Sequence, residues 1–436
     1  MYADTIPSRP IAAQSPAAWR WLPSALIWAV VFISFRPFSS GATAGEAVNT
    51  GGDIVNQLGF GAIGGICLYL LHKQRLNGSL SAPLIISWCA AVAVLGISIL
   101  TADYPPGAFR AVAFSMIVVL AAFTAMALLR SRNDLASALT TAVCLVLAYC
   151  YLAVIFFPQQ GVHGGGGFEP EHAGLWRGVF DHKNVASYVM GGFVIISLFL
   201  VRNGKPVIGL IAAALSLYFV IESGSKTVLG VLPTAIVAAA VTQWITWPLL
   251  RIIVLFLPIT ALIIATLGAV IYPPILKELW GYVPGLTYTG RTDLWIFGLE
   301  NLMKSPWLGY GFESFWATPR VTGLEQPIEL AWDVRGIVHG HNSWLDAMIA
   351  FGIPGAALIF IVLLVIPVRD YLRIPQHGNA GRIAGLFIGL WVFSVLAANL
   401  ESFFFRRADP VWFLMLMSIV GLRITAHMTR PHQLQA

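Results

Sequence analysis

The sequence predicts an all-α polytopic membrane protein with about twelve transmembrane helices, at the ~20 residues that a helix needs to cross a bilayer. Three observations predict it. Mean hydropathy is +0.78, and the chain is 58% hydrophobic and only 11% charged, so it cannot cover itself with a water-soluble surface. Apolar stretches of membrane-crossing length recur from one end to the other. Most links between them are short and no internal repeat is visible, so residues 1–436 read as a single membrane domain.

Taken in order, the expected spans are 21–38, 54–71, 83–100, 111–129, 135–157, 184–201, 206–222, 228–247, 252–272, 342–367, 383–400 and 411–426. Before the first, Arg20, the apolar run and Ala42-Thr43-Ala44 imitate a secretory signal with an A-x-A cleavage site. The leader ahead of the apolar run is long for a signal, so the span is expected to stay. Cys67, Cys89, Cys144 and Cys150 all fall within spans, where they pack as small apolar residues and form neither a disulfide framework nor a CxxC site.

Two connecting segments are longer than the rest. Residues 159–183 are glycine-rich and carry His163, Gly164 to Gly167, Glu169, Glu171, His172, Arg177, Asp181 and His182. Residues 273–340 exceed what a structureless loop spans in a compact protein, so they should hold short helices of their own. Thr292 to Met303 suits a helix capped by Thr292, with Trp295, Leu299 and Leu302 on one face. Its aromatic, amphipathic character reads as a helix lying in the membrane interface.

Orientation follows from basic residues, which short cytoplasmic loops retain. With the N-terminus inside, Arg130 and Arg132, Arg202 and Lys205, Arg251, Arg369, Arg373 and Arg382 all fall on inner turns. Both ends are then cytoplasmic, and segments 159–183 and 273–340 face outward. The net charge of +6 is spread along the chain as topology determinants, so no nucleic-acid partner is expected.

Ionisable groups concentrate from Gly290 to Asp346. His341 precedes Asn342 at the mouth of the tenth span, with His339 two residues earlier; a neutral imidazole there accepts a proton from a hydroxyl, or merely caps the helix. Spacing does not choose between the two histidines. Arg291 and Arg177 present planar guanidinium forks that suit a diphosphate at a membrane surface, or else anchor lipid headgroups. Lys183 and Lys226 either add positive charge to that site or pair with Asp181 and Glu222. SGSKT is not a phosphate-binding P-loop, since it lacks the Gly-Lys dipeptide. Zinc on His339 and His341, with His163, His172 and His182, has no HExxH or cysteine set behind it, and HGGGG has no GxSxG to make an esterase. Neither metal nor cofactor is expected. Glu401, Arg406 and Arg407 make a charged outer turn between the last two spans, where Glu401 and Arg406 either pair and orient the site or fix the helix ends, and the structural role is expected.

At these residues the chain resembles the bacterial O-antigen ligase and polymerase superfamily. The motifs are RGVFDHKNVAS (Arg177 to Ser187), SGSKT (Ser223 to Thr227), GRTDLW (Gly290 to Trp295), SPWLGYG (Ser305 to Gly311) and HGHNSWLDAMIAFGIPG (His339 to Gly355). Their order and spacing match over residues 175–356, and the HKN form is most similar to exopolysaccharide (Wzy-type) polymerases. Many members have a proline-containing turn where this chain has Asp181-His182-Lys183.

The resemblance implies a helical fold of the C type of glycosyltransferase in the bacterial cytoplasmic (inner) membrane, with a metal-free periplasmic site. It implies undecaprenyl-diphosphate-linked saccharides as donor and acceptor, membrane lipids around them, and a chain-length regulator and export complex as partners. By position, Arg177 and Arg291 would hold the diphosphate and His341 would activate the acceptor, with Lys183, Lys226, His339 and Asn342 beside them. Trp295, Trp307, Tyr310, Phe312, Phe315 and Trp316 would stack on sugar faces, or form an interfacial belt. The competing readings are a ligase onto a lipid A core and a secondary transporter of lipid-linked saccharide. Against the transporter, the spans carry few charges in their interiors and the polar clusters lie outside them.

Overall fold

In a hydrocarbon layer every backbone N–H and C=O must be paired within the protein, and a helix does this alone. The computed structural model describes residues 19–35, 37, 54–74, 78–164, 170–282, 291–325 and 333–428. The signal-like Ala42-Thr43-Ala44 and Gly290 of GRTDLW lie outside these residues. Among the described residues nine helices are long and apolar enough to cross a membrane, and three shorter apolar helices join them. Each coincides with an expected span, so the chain is an all-α, multi-pass membrane protein.

The first eight are α1 (Leu22–Ile33), α2 (Ile54–Gln74), α3 (Gly78–Leu100), α4 (Pro105–Leu128), α5 (Arg132–Phe156), α6 (Lys183–Arg202), α7 (Pro206–Glu222) and α8 (Lys226–Trp244). α9 (Pro248–Ile263) runs on through a wider turn at Ile264–Gly268. α10 (Arg291–Lys304) stands between spans, followed by α11 (Ser343–Phe360), α12 (Gly378–Ala397) and α13 (Pro410–Met428). Proline in the first turn starts α4, α7 and α9, where its missing N–H costs nothing. Ser131 and Ser225 cap α5 and α8 by accepting from Asp134 N and Val228 N.

Burial orders the bundle. The spans of α12 and α13 are 78% and 89% buried, whereas that of α2 is only 22% buried, so the last two helices form the interior and α2 the rim. Trp391, Phe387 and Phe393 of α12 and Trp412 and Phe413 of α13 are fully enclosed. Trp391 Nε1 donates to Leu363 O at 2.8 Å, within the wider turn Ile361–Val365 that prolongs α11.

One break is deliberate. α11 is interrupted at Gly352, whose φ of 68° is outside the helical region, and Pro354 has no N–H for Ala350 O. The SPWLGYG segment repairs both. Tyr310 N donates to Ile349 O at 2.9 Å, Gly311 N to Ala350 O at 3.0 Å, and Ile353 N to Pro306 O at 2.7 Å. Glycine is required at 309 because a Cβ there would stand 2.5 Å from Ile349 O. Two motifs some forty residues apart are thus one structural unit, in which a loop pairs the backbone of a broken membrane helix.

The segment 273–340 does carry helices: Pro274–Tyr282, α10, Pro319–Thr322 and the single turn Val334–Gly336. α10 departs from the expectation in two ways. It begins at Arg291, so Thr292 lies in the first turn instead of capping it. Its apolar face of Leu294, Trp295, Gly298 and Leu302 is buried against protein, with Leu345 and Ile349 of α11, and does not face outward as an isolated interfacial helix would. Leu299 is only partly buried.

Candidate active site

α11 opens at Ser343 with Asn342 as its cap: Asn342 Oδ1 accepts from Trp344 N at 3.1 Å and Leu345 N at 3.0 Å. Asn342 Nδ2 donates to Asn399 O, and Asn342 N donates to Ser402 Oγ, both at 3.0 Å. Ser343 Oγ donates to Glu401 O at 2.8 Å and accepts from Phe403 N at 3.0 Å. The mouth of α11 is therefore stitched to the turn between α12 and α13, and this brings Glu401 beneath the HGHN segment.

Glu401, 6% exposed, is shared by four groups. His341 Nδ1 stands 3.0 Å from Oε1, an ion-pair contact whose angle falls outside hydrogen-bond geometry. His339 Nε2 is 3.8 Å from Oε1 and Arg291 Nη2 is 3.8 Å from Oε2. Asn184 Nδ2, from the first turn of α6, donates to Oε2 at 3.2 Å. Burial pushes the Glu401 carboxyl up, but His341, His339 and Arg291 outweigh it and hold the group well below the usual carboxylate range. His339 is held well below the ordinary imidazole value, chiefly by burial and then by the charges of His341 and Arg406. Glu401 is thus ionised and His339 neutral.

His341 adopts a φ of 51°, a left-handed conformation that costs a non-glycine residue about 1–3 kcal/mol and persists only where surroundings enforce it. The enforcement is visible at Gly340. Its N–H donates to Asp346 Oδ2 at 3.0 Å, and its carbonyl accepts from Trp295 Nε1, also at 3.0 Å. Trp316 Nε1 donates to Asp346 Oδ1 at 2.7 Å. A Cβ on Gly340 would lie 2.5 Å from Asp346 Oδ1, so only glycine fits between the two histidines.

This geometry reassigns several expected site residues. Trp295 is fully buried and holds a backbone carbonyl, and Phe312 and Phe315 are also buried, so none of the three has a face for a sugar. Trp316 is partly buried and committed to Asp346; Tyr310 donates to Asn301 O; Trp307 is 75% exposed. Asn342 is fully buried and spent on capping, so it positions His341 rather than touching substrate. Lys183 is buried at the start of α6, and Lys226 is exposed on its turn without a hydrogen bond or ion pair to Glu401, His341 or Arg291 among the described residues. Arg177 is folded back on its own segment, with Nε donating to Gln160 O at 2.8 Å and Nη1 to Asp181 O at 3.3 Å.

Glu401 and Arg406, expected mainly to fix the helix ends, do different work. Glu401 binds the cluster, while Arg406 donates to Ser402 O at 3.2 Å and its charge reaches both His339 and Asp181. Arg406 therefore bridges the Arg177 segment and the histidine pair. The signal was present in the sequence: charges on a short turn between two apolar spans. A cation set also emerges that spacing did not suggest, since one ligand atom each of His339, His341 and Glu401 lies within 4.8 Å of the others. The guanidinium groups of Arg291 and Arg406 oppose a cation there and favour an anion.

Residues 211–360 match the O-antigen ligase family. An 83-residue stretch is 34% identical to the exopolysaccharide production protein ExoQ of Rhizobium meliloti (strain 1021), and covers 18% of this chain and 18% of that relative. The matched region contains α10, the SPWLGYG splint, the HGHN segment and the broken α11, whereas Glu401, Arg406 and Asn184 lie outside it. Through this region the chain is similar to the O-antigen ligase family, and the matched stretch spans about a fifth of the length of the exopolysaccharide production protein.

Proposed function

We propose that this protein is a glycosyltransferase that extends polyprenyl-diphosphate-linked saccharide on the outer face of the bacterial cytoplasmic membrane. The observation that carries the proposal is the ionised, buried Glu401 shared by His341 and Arg291 at one end of the bundle. ATP and nucleotide sugars are cytoplasmic, so a donor used on the outer face must arrive already activated, as a saccharide on a lipid diphosphate does.

Glu401 faces His341 Nδ1 and so favours a proton there, leaving Nε2 free to take the proton of an acceptor hydroxyl. The hydroxyl oxygen bonds to C1 of the donor sugar as the bond from C1 to the diphosphate oxygen breaks. The departing polyprenyl diphosphate carries growing negative charge, which Arg291 and Arg406 meet with fixed positive charge and Arg177 extends. No step calls for a metal, so a chelator should leave the rate unchanged.

The resemblance to an exopolysaccharide production protein favours polymerisation of repeat units over ligation, with a chain-length regulator and an export complex as partners. Reconstitution of the purified protein with a polyprenyl-diphosphate oligosaccharide tests this. A ladder of longer lipid-linked glycans supports the polymerase. Transfer only to a lipid A core makes it a ligase, and movement without transfer makes it a transporter. Arg291→Lys should impair donor use although charge is kept, because the two-pronged fork is lost.

A further inference from the structure

The reaction leaves one constellation unused. His163, His172 and His182, from both ends of the segment before α6, form a triangle with ring centroids 5.6, 5.1 and 5.2 Å apart. Two of them hold the start of α6. Lys183 N donates to His163 Nε2 at 3.0 Å, and Asn184 N donates to His182 Nδ1 at 3.1 Å, with His182 as the helix cap. Helices are ordinarily capped by serine, threonine, aspartate or asparagine, whose oxygens accept at any ordinary pH. A ring nitrogen accepts only while it carries no proton.

We propose that His163, His172 and His182 form a proton-responsive clasp that holds the first turn of α6 at neutral pH and releases it in acid. A proton on His163 Nε2 or His182 Nδ1 removes a cap. It also places positive charge at the helix N-terminus, which already carries partial positive charge, and beside two further imidazoles. The caps therefore hold while these ring nitrogens carry no proton and are lost when they take one. The surrounding charges are Glu171, Arg177 and Asp181 of the same segment, Lys183 of α6, Arg406 and Glu401 of the α12–α13 turn, and Glu222 and Lys226 of the α7–α8 turn, which is tied on by Trp176 N and Glu222 O.

Release reaches the site because Asn184, capped by His182, donates to Glu401 Oε2. The effect on transfer rests on the transferase reading, but the movement of α6 does not. A resident zinc ion is not what the geometry builds, since one nitrogen each of His163 and His182 already accepts from backbone.

Hydrogen–deuterium exchange of the full chain in lipid discs tests the clasp, at about pH 7.5 and about pH 5.5, on either side of the ordinary imidazole value and corrected for intrinsic exchange. Protection of amides 183–186 should fall roughly fivefold for each lost cap in the wild type. The His163→Gln/His182→Asn double variant keeps acceptors that do not titrate and should hold its protection. Wild-type protection that does not change between the two pH values overturns the proposal, whether or not the variant folds. So does an equal loss in a folded variant, or loss on adding a chelator at neutral pH.

Discussion

Among the described residues two buried carboxylates, Asp370 and Glu401, face arginine, and they are used in opposite ways. Asp370, on the continuation of α11, has both oxygens 3.0 Å from Arg423 Nη1 of α13, with side chains 2% and 9% exposed. Nearby, Arg251 lies over the Tyr371 ring at 4.2 Å and Tyr371 OH is 2.9 Å from Thr242 Oγ1, which ties α9 and α8 to the same point. At the other end Glu401 is divided among His341, His339, Arg291 and Asn184. The Asp370 pair is closed and holds helices together. Around Glu401 the neutral His339, His341, Arg291 and the Asn184 amide share one carboxylate, and none closes a two-pronged pair with it, which leaves Arg291 able to meet an anionic ligand. Burial alone does not separate structural from functional charge; what separates them is whether the pair is closed.

The sharpest way to break this contrast is to compare Asp370→Ala with His341→Ala. Asp370→Ala should destabilise the fold by about 3–5 kcal/mol, since it strands a buried guanidinium, and lower the yield of folded protein. His341→Ala should cut glycosyl transfer about 10²- to 10⁴-fold with an unchanged unfolding transition. If Asp370→Ala unfolds at the wild-type temperature and His341→Ala does not, the roles are reversed. Glu401→Gln should lower transfer about ten- to a hundredfold, as loss of a group that orients a functional histidine does, while stability changes less than in Asp370→Ala. Equal losses of stability would make Glu401 structural.

Acid provides a gentler test. His339 is held well below the ordinary imidazole value, so the unfolded chain takes up its proton first, and stability is lost as pH falls from about 6.5. Glu401 is held below the carboxylate range, so its contribution is present at neutral pH and is lost at still lower pH. Stability, followed by unfolding from pH 7 downward, should therefore fall in the wild type, and less so in His339→Gln. Smallest of all, Trp316→Phe removes the hydrogen bond to Asp346 and should cost about 1 kcal/mol, loosening His341 and slowing transfer without abolishing it. A rate equal to wild type would remove Trp316 from the support of the site.

The spans were legible because membrane crossing is written in runs of apolar residues: each expected span from 21–38 to 411–426 has its helix. Arg291, His339 and His341 were legible as charges beside those runs, and they do meet. Trp295, Trp316 and Asn342 were misread because a tryptophan or asparagine looks the same whether it faces a sugar or a backbone carbonyl. Their burial and hydrogen bonds come from neighbours across the fold. Arg177, expected beside Arg291, bonds to carbonyls of its own segment.

The sequence by itself determined the all-α membrane architecture and the stretch in which chemistry is concentrated. Each follows from local composition and from the length a bilayer demands. Only the tertiary structure decided that SPWLGYG splints the break at Gly352, that Glu401 answers His341 across sixty residues of chain, and that three histidines close on the start of α6. Those contacts arise from helix packing, whose partners are set by shape and by the need to pair buried polar groups, and no local pattern encodes which partner is chosen.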